Sequence, residues 1–309
     1  MSKKAVMSIY LVVILGILIL AAGAVYFLFF KPSADAAVVN GEKIPVSVYK
    51  DYLKNQKEEL LKSNPNIKWD EQYSSGKTFE DIFKENTVNS LVSIYAAAQE
   101  AQSEKITLTD SDISKIKKHY PYIKNEELIK KIAMANKLYD LKTRGVEVSD
   151  EKAKKYYEKH PEQFITGDIY RIDVKDIKTS ETIVKAFLKG EKFEDLAKKY
   201  SIDLSSKDNG GFIGNMPLSQ YSSVINYDLT RIKEGQITEP INRGNYYEIV
   251  MVKNISQKSF EEVKDYLKAW LADTEKQDIV ANTAKEIIDK AKIKINWDVV
   301  YRVDIGEIR

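Results

Sequence analysis

Apolar and polar positions divide the chain into one uninterrupted hydrophobic run and a long remainder in which the two alternate. From Met7 to Phe30, 24 residues pass without a charged side chain. At a rise of ~1.5 Å per residue they would span roughly 36 Å, enough for a hydrocarbon core of about 30 Å with some tilt. A soluble core helix this long would have to be buried on every face. The run therefore reads as a single transmembrane helix. Lys3 and Lys4 precede it and only Lys31 follows closely, a bias that puts the N-terminus in the cytoplasm and exports the body. Ala34-Asp35-Ala36 has the small-x-small form of a signal-peptidase site, so cleavage after Ala36 is the alternative to a retained anchor.

Beyond the anchor the pattern predicts a mostly helical region and then a mixed one. Val38 to Ile44 reads as a short strand turning at Asn40-Gly41. Val48, Tyr52, Leu53, Leu60 and Leu61 recur at helical spacing, and Asn64-Pro65-Asn66 breaks the stripe ahead of a polar stretch to Lys77. A second helix is expected over Phe79 to Glu104, with Ile82, Val88, Leu91, Ile94, Ala97 and Ala98 on its apolar face. Thr109 to Asp112 resembles a capping box opening a third, and a fourth runs from about Glu126 to Leu141. After a short helix through Tyr156 and Tyr157, strands are expected at Ile169 to Val174 and Tyr247 to Val252, with helices at Glu181 to Leu188 and Phe193 to Tyr200. Ser259-Phe260-Glu261-Glu262 caps a long amphipathic helix through Val263, Leu267, Trp270 and Leu271, and Lys292 to Asn296 alternates like a last strand.

Composition adds mainly exclusions. The 48 basic and 46 acidic side chains nearly balance, which gives no electrostatic footprint for nucleic acid. With no cysteine, the chain has no disulfide, thiol nucleophile, cysteine metal site or lipid-modified cysteine. No histidine or carboxylate pair has metal-ligand spacing, and no serine sits in a nucleophile motif, so neither metal nor cofactor is expected. The loop Asn209-Gly210-Gly211-Phe212-Ile213-Gly214 lacks the lysine of a P-loop and the full dinucleotide spacing, and its glycines read as a tight turn beside a pocket. His160-Pro161 reads as a helix end, and His119 as a solvated position on a helix face.

In order, these segments resemble the exported foldases of the PrsA and SurA type. The N-terminal signature is Val39-Asn40-Gly41-Glu42-Lys43-Ile44 followed by a helix. The C-terminal one is Ser259 to Leu267 with Ala291-Lys292-Ile293-Lys294-Ile295. Between them, Gly190 to Ser201, Asp203, Gly210-Gly211, Gly214 and Gly235-Gln236-Ile237 resemble a parvulin prolyl isomerase. The resemblance implies an α+β protein: an anchor over residues 1–36, an N-terminal chaperone segment over 37–160, a parvulin-like α/β domain over 161–257, and residues 258–309 completing a SurA-like lobe. It implies unfolded, newly exported polypeptides as partners and an extracytoplasmic body on the cell membrane, and it leaves contact with the secretion machinery open.

The same resemblance locates a site and shows it altered. The family's first-strand histidine corresponds to Arg171 and its last-strand histidine to Glu248, while Asp203 keeps the acidic option in the loop. Phe212, Ile213, Met216 and Tyr247 are the candidate apolar walls, with Phe212 for the usual aspartate and Asn215 for the usual aromatic. Arg171 and Glu248 are expected either to form an ion pair across the basin or to be an ordinary cross-strand pair worth ~0.2–1 kcal/mol. Prolyl isomerisation faces a barrier of about 18–20 kcal/mol and needs no nucleophile, only a pocket that favours the twisted amide. Two functions stay open: a foldase with a weak parvulin-type isomerase, and a non-catalytic holdase or translocon-side assembly factor.

Overall fold

Asn40 and Gly41 both take positive φ, +50° and +87°, as a two-residue turn matched to strand twist requires. Strand β1 (Asp35–Val39) therefore folds back antiparallel on β2 (Glu42–Pro45) and buries Ala37, Val39 and Ile44 on one face. The computed structural model describes residues 35–73 and 76–308. The expected span, Met7 to Phe30, lies outside the described residues. No helix among the described residues is long and apolar enough to cross a membrane.

Four helices follow. Helix α1 (Val46–Ser63) buries Val48, Tyr49, Tyr52 and Leu53. Helix α2 (Phe79–Ser103) opens with a capping box between Thr78 and Asp81, and α3 (Asp110–His119) with the expected one between Thr109 and Asp112. Helix α4 (Glu126–Lys142) starts where the Asn125 side chain accepts from the Leu128 amide at 2.9 Å. Their buried faces, Val88, Leu91, Val92, Leu128 and Ile132 among them, form one core with the β1–β2 hairpin.

At Gly145 the chain enters a second compact unit that runs to Lys276. Helix α5 (Asp150–Lys159) ends at His160-Pro161 as expected, and the long strand β3 (Ile165–Val174) begins just beyond. Helices α6 (Ile177–Leu188) and α7 (Phe193–Tyr200) precede the edge strand β4 (Phe212–Pro217). Helix α8 (Leu218–Ile225), the two-residue β5 (Ile241–Asn242) and β6 (Tyr247–Gln257) complete an antiparallel sheet of order β4-β3-β6-β5. The side-chain period of two splits this sheet cleanly. Ile172, Val174, Ile249 and Met251 face α6 and α7, whereas Ile169, Val250 and Val252 face α8.

Sequence patterning misses β4, β5 and α8, because β4 is interrupted by Gly214, β5 is too short to show alternation, and α8 has only two turns. The unit is also wider than the 161–257 module. Val148 and Ala153 upstream and Leu267 downstream are buried together with Phe164, and the Tyr157 hydroxyl donates to the Lys258 carbonyl at 2.7 Å.

Helix α9 (Phe260–Lys290) is capped by Ser259 and Glu262, whose carboxylate accepts from the Ser259 amide at 2.7 Å. Its residues from Gln277 on belong to the first unit. There Ile287 and Ile288 pack on the core, β7 (Ile293–Ile295) pairs antiparallel with β1, and α10 (Trp297–Arg302) buries Val300. The β2-β1-β7 sheet thus joins the two ends of the described chain, and the helical lobe is built from both.

Candidate functional site

Arg171 and Asp173 alternate along β3, so both point to the α8 side of the sheet. Opposite them on β6, Val250 pairs with Arg171 and Glu248 with Asp173. The glycine loop fixes this strand from the other side: Gly211, at φ +88°, accepts the Arg171 amide at 2.8 Å through its carbonyl. A Cβ on Gly211 would lie 2.5 Å from the Arg171 carbonyl oxygen. Gly211→Ala is therefore expected to cost about 2 kcal/mol through combined strain and clash. A urea titration showing unchanged stability would mean that the turn can shift away from β3.

The expected Arg171–Glu248 pair does not form, because the register sets the two residues diagonally and each meets a nearer partner. Arg171 donates from Nε and Nη2 to Oδ2 of Asp203, at 3.0 and 2.9 Å. Glu248, 1% exposed, accepts from the Tyr221 hydroxyl of α8, and its Oε2 lies 3.3 Å from Nε of Arg243 in the β5–β6 turn. Asp203 is the best satisfied group. Its Oδ1 accepts from the Ser205 amide at 3.1 Å and hydroxyl at 2.6 Å, and the Ser206 hydroxyl donates to Oδ2. Burial opposes its charge, but the two hydroxyls, the Arg171 guanidinium and the Ser205 amide outweigh it and hold the carboxyl well below the usual carboxylate range.

Asp173 is the opposite case. Its Oδ1 is buried without a hydrogen-bond partner. Burial, opposed by Arg171 at 3.8 Å and reinforced by the charges of Glu248 and Asp203, pushes it up to about 6. The Tyr221 hydroxyl is raised as well, by burial and by its bond to Glu248. Two guanidiniums thus face three carboxylates in a partly desolvated cluster, and of the two aspartates Asp173 takes up a proton before Asp203.

The apolar candidates separate. Ile213 and Met216 pack on the α8 side with Ile169, Leu218 and Tyr221. Phe212 instead meets Tyr170, ring centroids 5.2 Å apart, and Tyr170 and Tyr247 pack with the α6–α7 core. Phe212 and Tyr247 therefore do not share a face with Arg171, Asp203 and Glu248. For Tyr247 the reason is strand alternation, since it adjoins Glu248. Sequence reasoning missed Tyr221, Arg243 and Asp173. Asp173 was legible as the residue two on from Arg171, whereas Tyr221 and Arg243 arrive from α8 and a turn that no pattern announced.

In the order of the chain, a unit with a charged, acid-bearing sheet is inserted between the two segments of a mostly helical one, the organisation of a chaperone with an inserted isomerase-type domain. The PPIC-type PPIASE domain family matches residues 171–254, and the SurA-like N-terminal domain family matches residues 1–127. Foldase protein PrsA of Caldanaerobacter subterraneus is 34% identical over 263 residues, covering 84% of this chain and 86% of that one. Foldase protein PrsA of Clostridium botulinum is 25% identical over 335 residues, covering 94% and 98%. The crystal structure of PrsA from Bacillus cereus aligns at a TM-score of 0.41 with 19% identity, over 87% of this chain and 96% of that one. The chain belongs to the PrsA foldase family, with a SurA-like N-terminal domain and a PPIC-type parvulin domain.

Proposed function

We propose that the chain is a membrane-anchored extracytoplasmic foldase whose helical lobe holds unfolded, newly exported polypeptide. In this reading its parvulin domain isomerises prolyl bonds weakly. The length of the Met7 to Phe30 run and the lysines before it support the anchor and its orientation. One observation carries the weak-isomerase reading. Arg171 and Glu248 stand where the family has histidines, and both are already bound, to Asp203 and to Tyr221 with Arg243.

Isomerisation requires the amide to lose resonance, which an apolar, water-poor wall favours without covalent chemistry. Ile213 and Met216 supply such a wall with Tyr221, on the face of the sheet that carries Glu248. Arg171 holds the Asp203 charge in place, and Glu248 orients Tyr221. A proline ring entering this face would have to share it with the two bound charge clusters, which lowers the rate. The same occupancy favours the second reading, a non-catalytic holdase or a translocon-side assembly factor.

The test is the cis-to-trans rate of a proline tetrapeptide with the chain from Asp35 on. The expected rate lies well below that of a parvulin with both histidines, and Arg171→His with Glu248→His leaves or raises it. A wild-type rate equal to such a parvulin and indifferent to Asp203→Asn would sink the weak-isomerase reading. A rate no higher than uncatalysed, with aggregation of an unfolded client still suppressed, would establish the holdase instead.

A further inference from the structure

Only Lys31-Pro32-Ser33-Ala34 separates the apolar run from the first strand. Five peptide steps from Phe30 to Asp35 reach at most roughly 18 Å, and the headgroup layer occupies about 5–7 Å of that on each side of a bilayer. Asp35 opens β1 and is integral to the lobe: it pairs in register with Pro45 and binds Lys43 at 3.0 Å. If the run spans the membrane, as proposed above, this end of the β2-β1-β7 sheet is tethered at the lipid surface.

The side chains at that end are those suited to an interface. The Asn296 amide donates to the Ala36 carbonyl at 2.9 Å, which places the start of α10 beside the first residues of β1. Trp297 and Tyr301, four residues apart on one face of α10, stack with centroids 5.8 Å apart and remain 39% and 38% exposed. Val300, on the other face, is fully buried in the lobe core and fixes the helix. The Tyr301 hydroxyl donates to Glu85. Lys43, Lys294 and Arg302 are exposed nearby in the same sheet and helix.

We infer that the Trp297–Tyr301 face of the lobe docks on the outer surface of the membrane, with the two rings at the headgroup level. Tryptophan and tyrosine favour that level because an apolar ring and a polar edge are satisfied there together. A tether of a few residues keeps the face at high effective concentration over the lipid, so a small patch suffices. The cations beside it match anionic headgroups. The occupant is the protein's own bilayer, chosen by where the chain leaves the lobe. The lobe would then hold its client close to the membrane.

The full chain contains only Trp69, Trp270 and Trp297, and none lies in the apolar run. The experiment reconstitutes it in phosphatidylcholine–phosphatidylglycerol vesicles with and without brominated acyl chains, using a protein that keeps Trp297 alone and one that keeps Trp270 alone. Emission of the Trp297 protein should fall about twofold with brominated lipid, and the Trp270 protein reports the second unit separately. In the native background, Trp297→Phe should remove the quenched component, a readout that does not depend on the multiply substituted proteins folding. Retention of the chain on the vesicles after alkaline washing reports the anchor separately. Loss at that step overturns the anchor and the docking together, whereas retention with Trp297 unquenched, or with Trp297→Phe leaving the quench intact, overturns the docking alone.

Discussion

Asp203→Ala is expected to destabilise the parvulin unit by about 3 kcal/mol, because it leaves the partly buried Arg171 guanidinium without its charge partner. The figure is set at the low end for a broken buried pair. About a quarter of the Arg171 side chain stays in water, and Asp173, 3.8 Å away, takes over part of the interaction. The Ser205 and Ser206 hydroxyls also lose their acceptor, which unravels the turn after α7. Replacing both partners by apolar residues of similar size, Arg171→Met with Asp203→Leu, should cost far less than the single change. Urea titration followed through Trp270 measures both in the unit that holds the site. Equal losses for the single and double replacements would show that Arg171 and Asp203 contribute independently.

The second large effect is a pH dependence centred on Asp173. Its ordinary value in the unfolded chain is 3.8 and its folded value is about 6, so the folded state binds the proton more tightly. The stability it contributes is fully present below about pH 4 and is lost as pH rises through about 6, a change of roughly 3 kcal/mol. Asp203 titrates with the opposite sign: its charged form is the one the fold stabilises, so its contribution is lost as pH falls. Comparing wild type with Asp173→Asn isolates the first effect, since both proteins retain Asp203. The asparagine protein should be the more stable one near pH 8, with the advantage fading toward pH 4. A difference that does not vary with pH would show that Asp173 is not the proton-binding group.

Much of the first unit is legible one residue at a time. Asn40-Gly41 dictates its turn, Thr109 with Asp112 dictates a helix start, and Val48, Tyr52 and Leu53 of α1 and Val88, Leu91, Ala97 and Ala98 of α2 are buried as their stripes predict, because these signals act within one or two turns of chain. The Lys292 to Asn296 alternation likewise announces β7, although only the structure shows that its partner is β1. In the second unit the long strands β3 and β6 are visible in their branched residues, whereas β4, β5 and α8 are too short for any period to stand out.

The site follows the same division. The resemblance read from sequence proposes Arg171, Asp203 and Glu248 for the family's basin positions. Strand alternation also implies that Tyr247 and Glu248 face opposite ways. Which charge meets which is a tertiary matter. The β3–β6 register offsets Arg171 from Glu248, the turn after α7 carries Asp203 to the guanidinium, and α8 and the β5–β6 turn bring Tyr221 and Arg243 to Glu248. Local propensity and period depend on neighbours a few positions away and are written in the chain. An ion pair between residues 32 positions apart, or a hydrogen bond between residues 27 apart, is decided by how the intervening elements pack, and only the folded structure contains that.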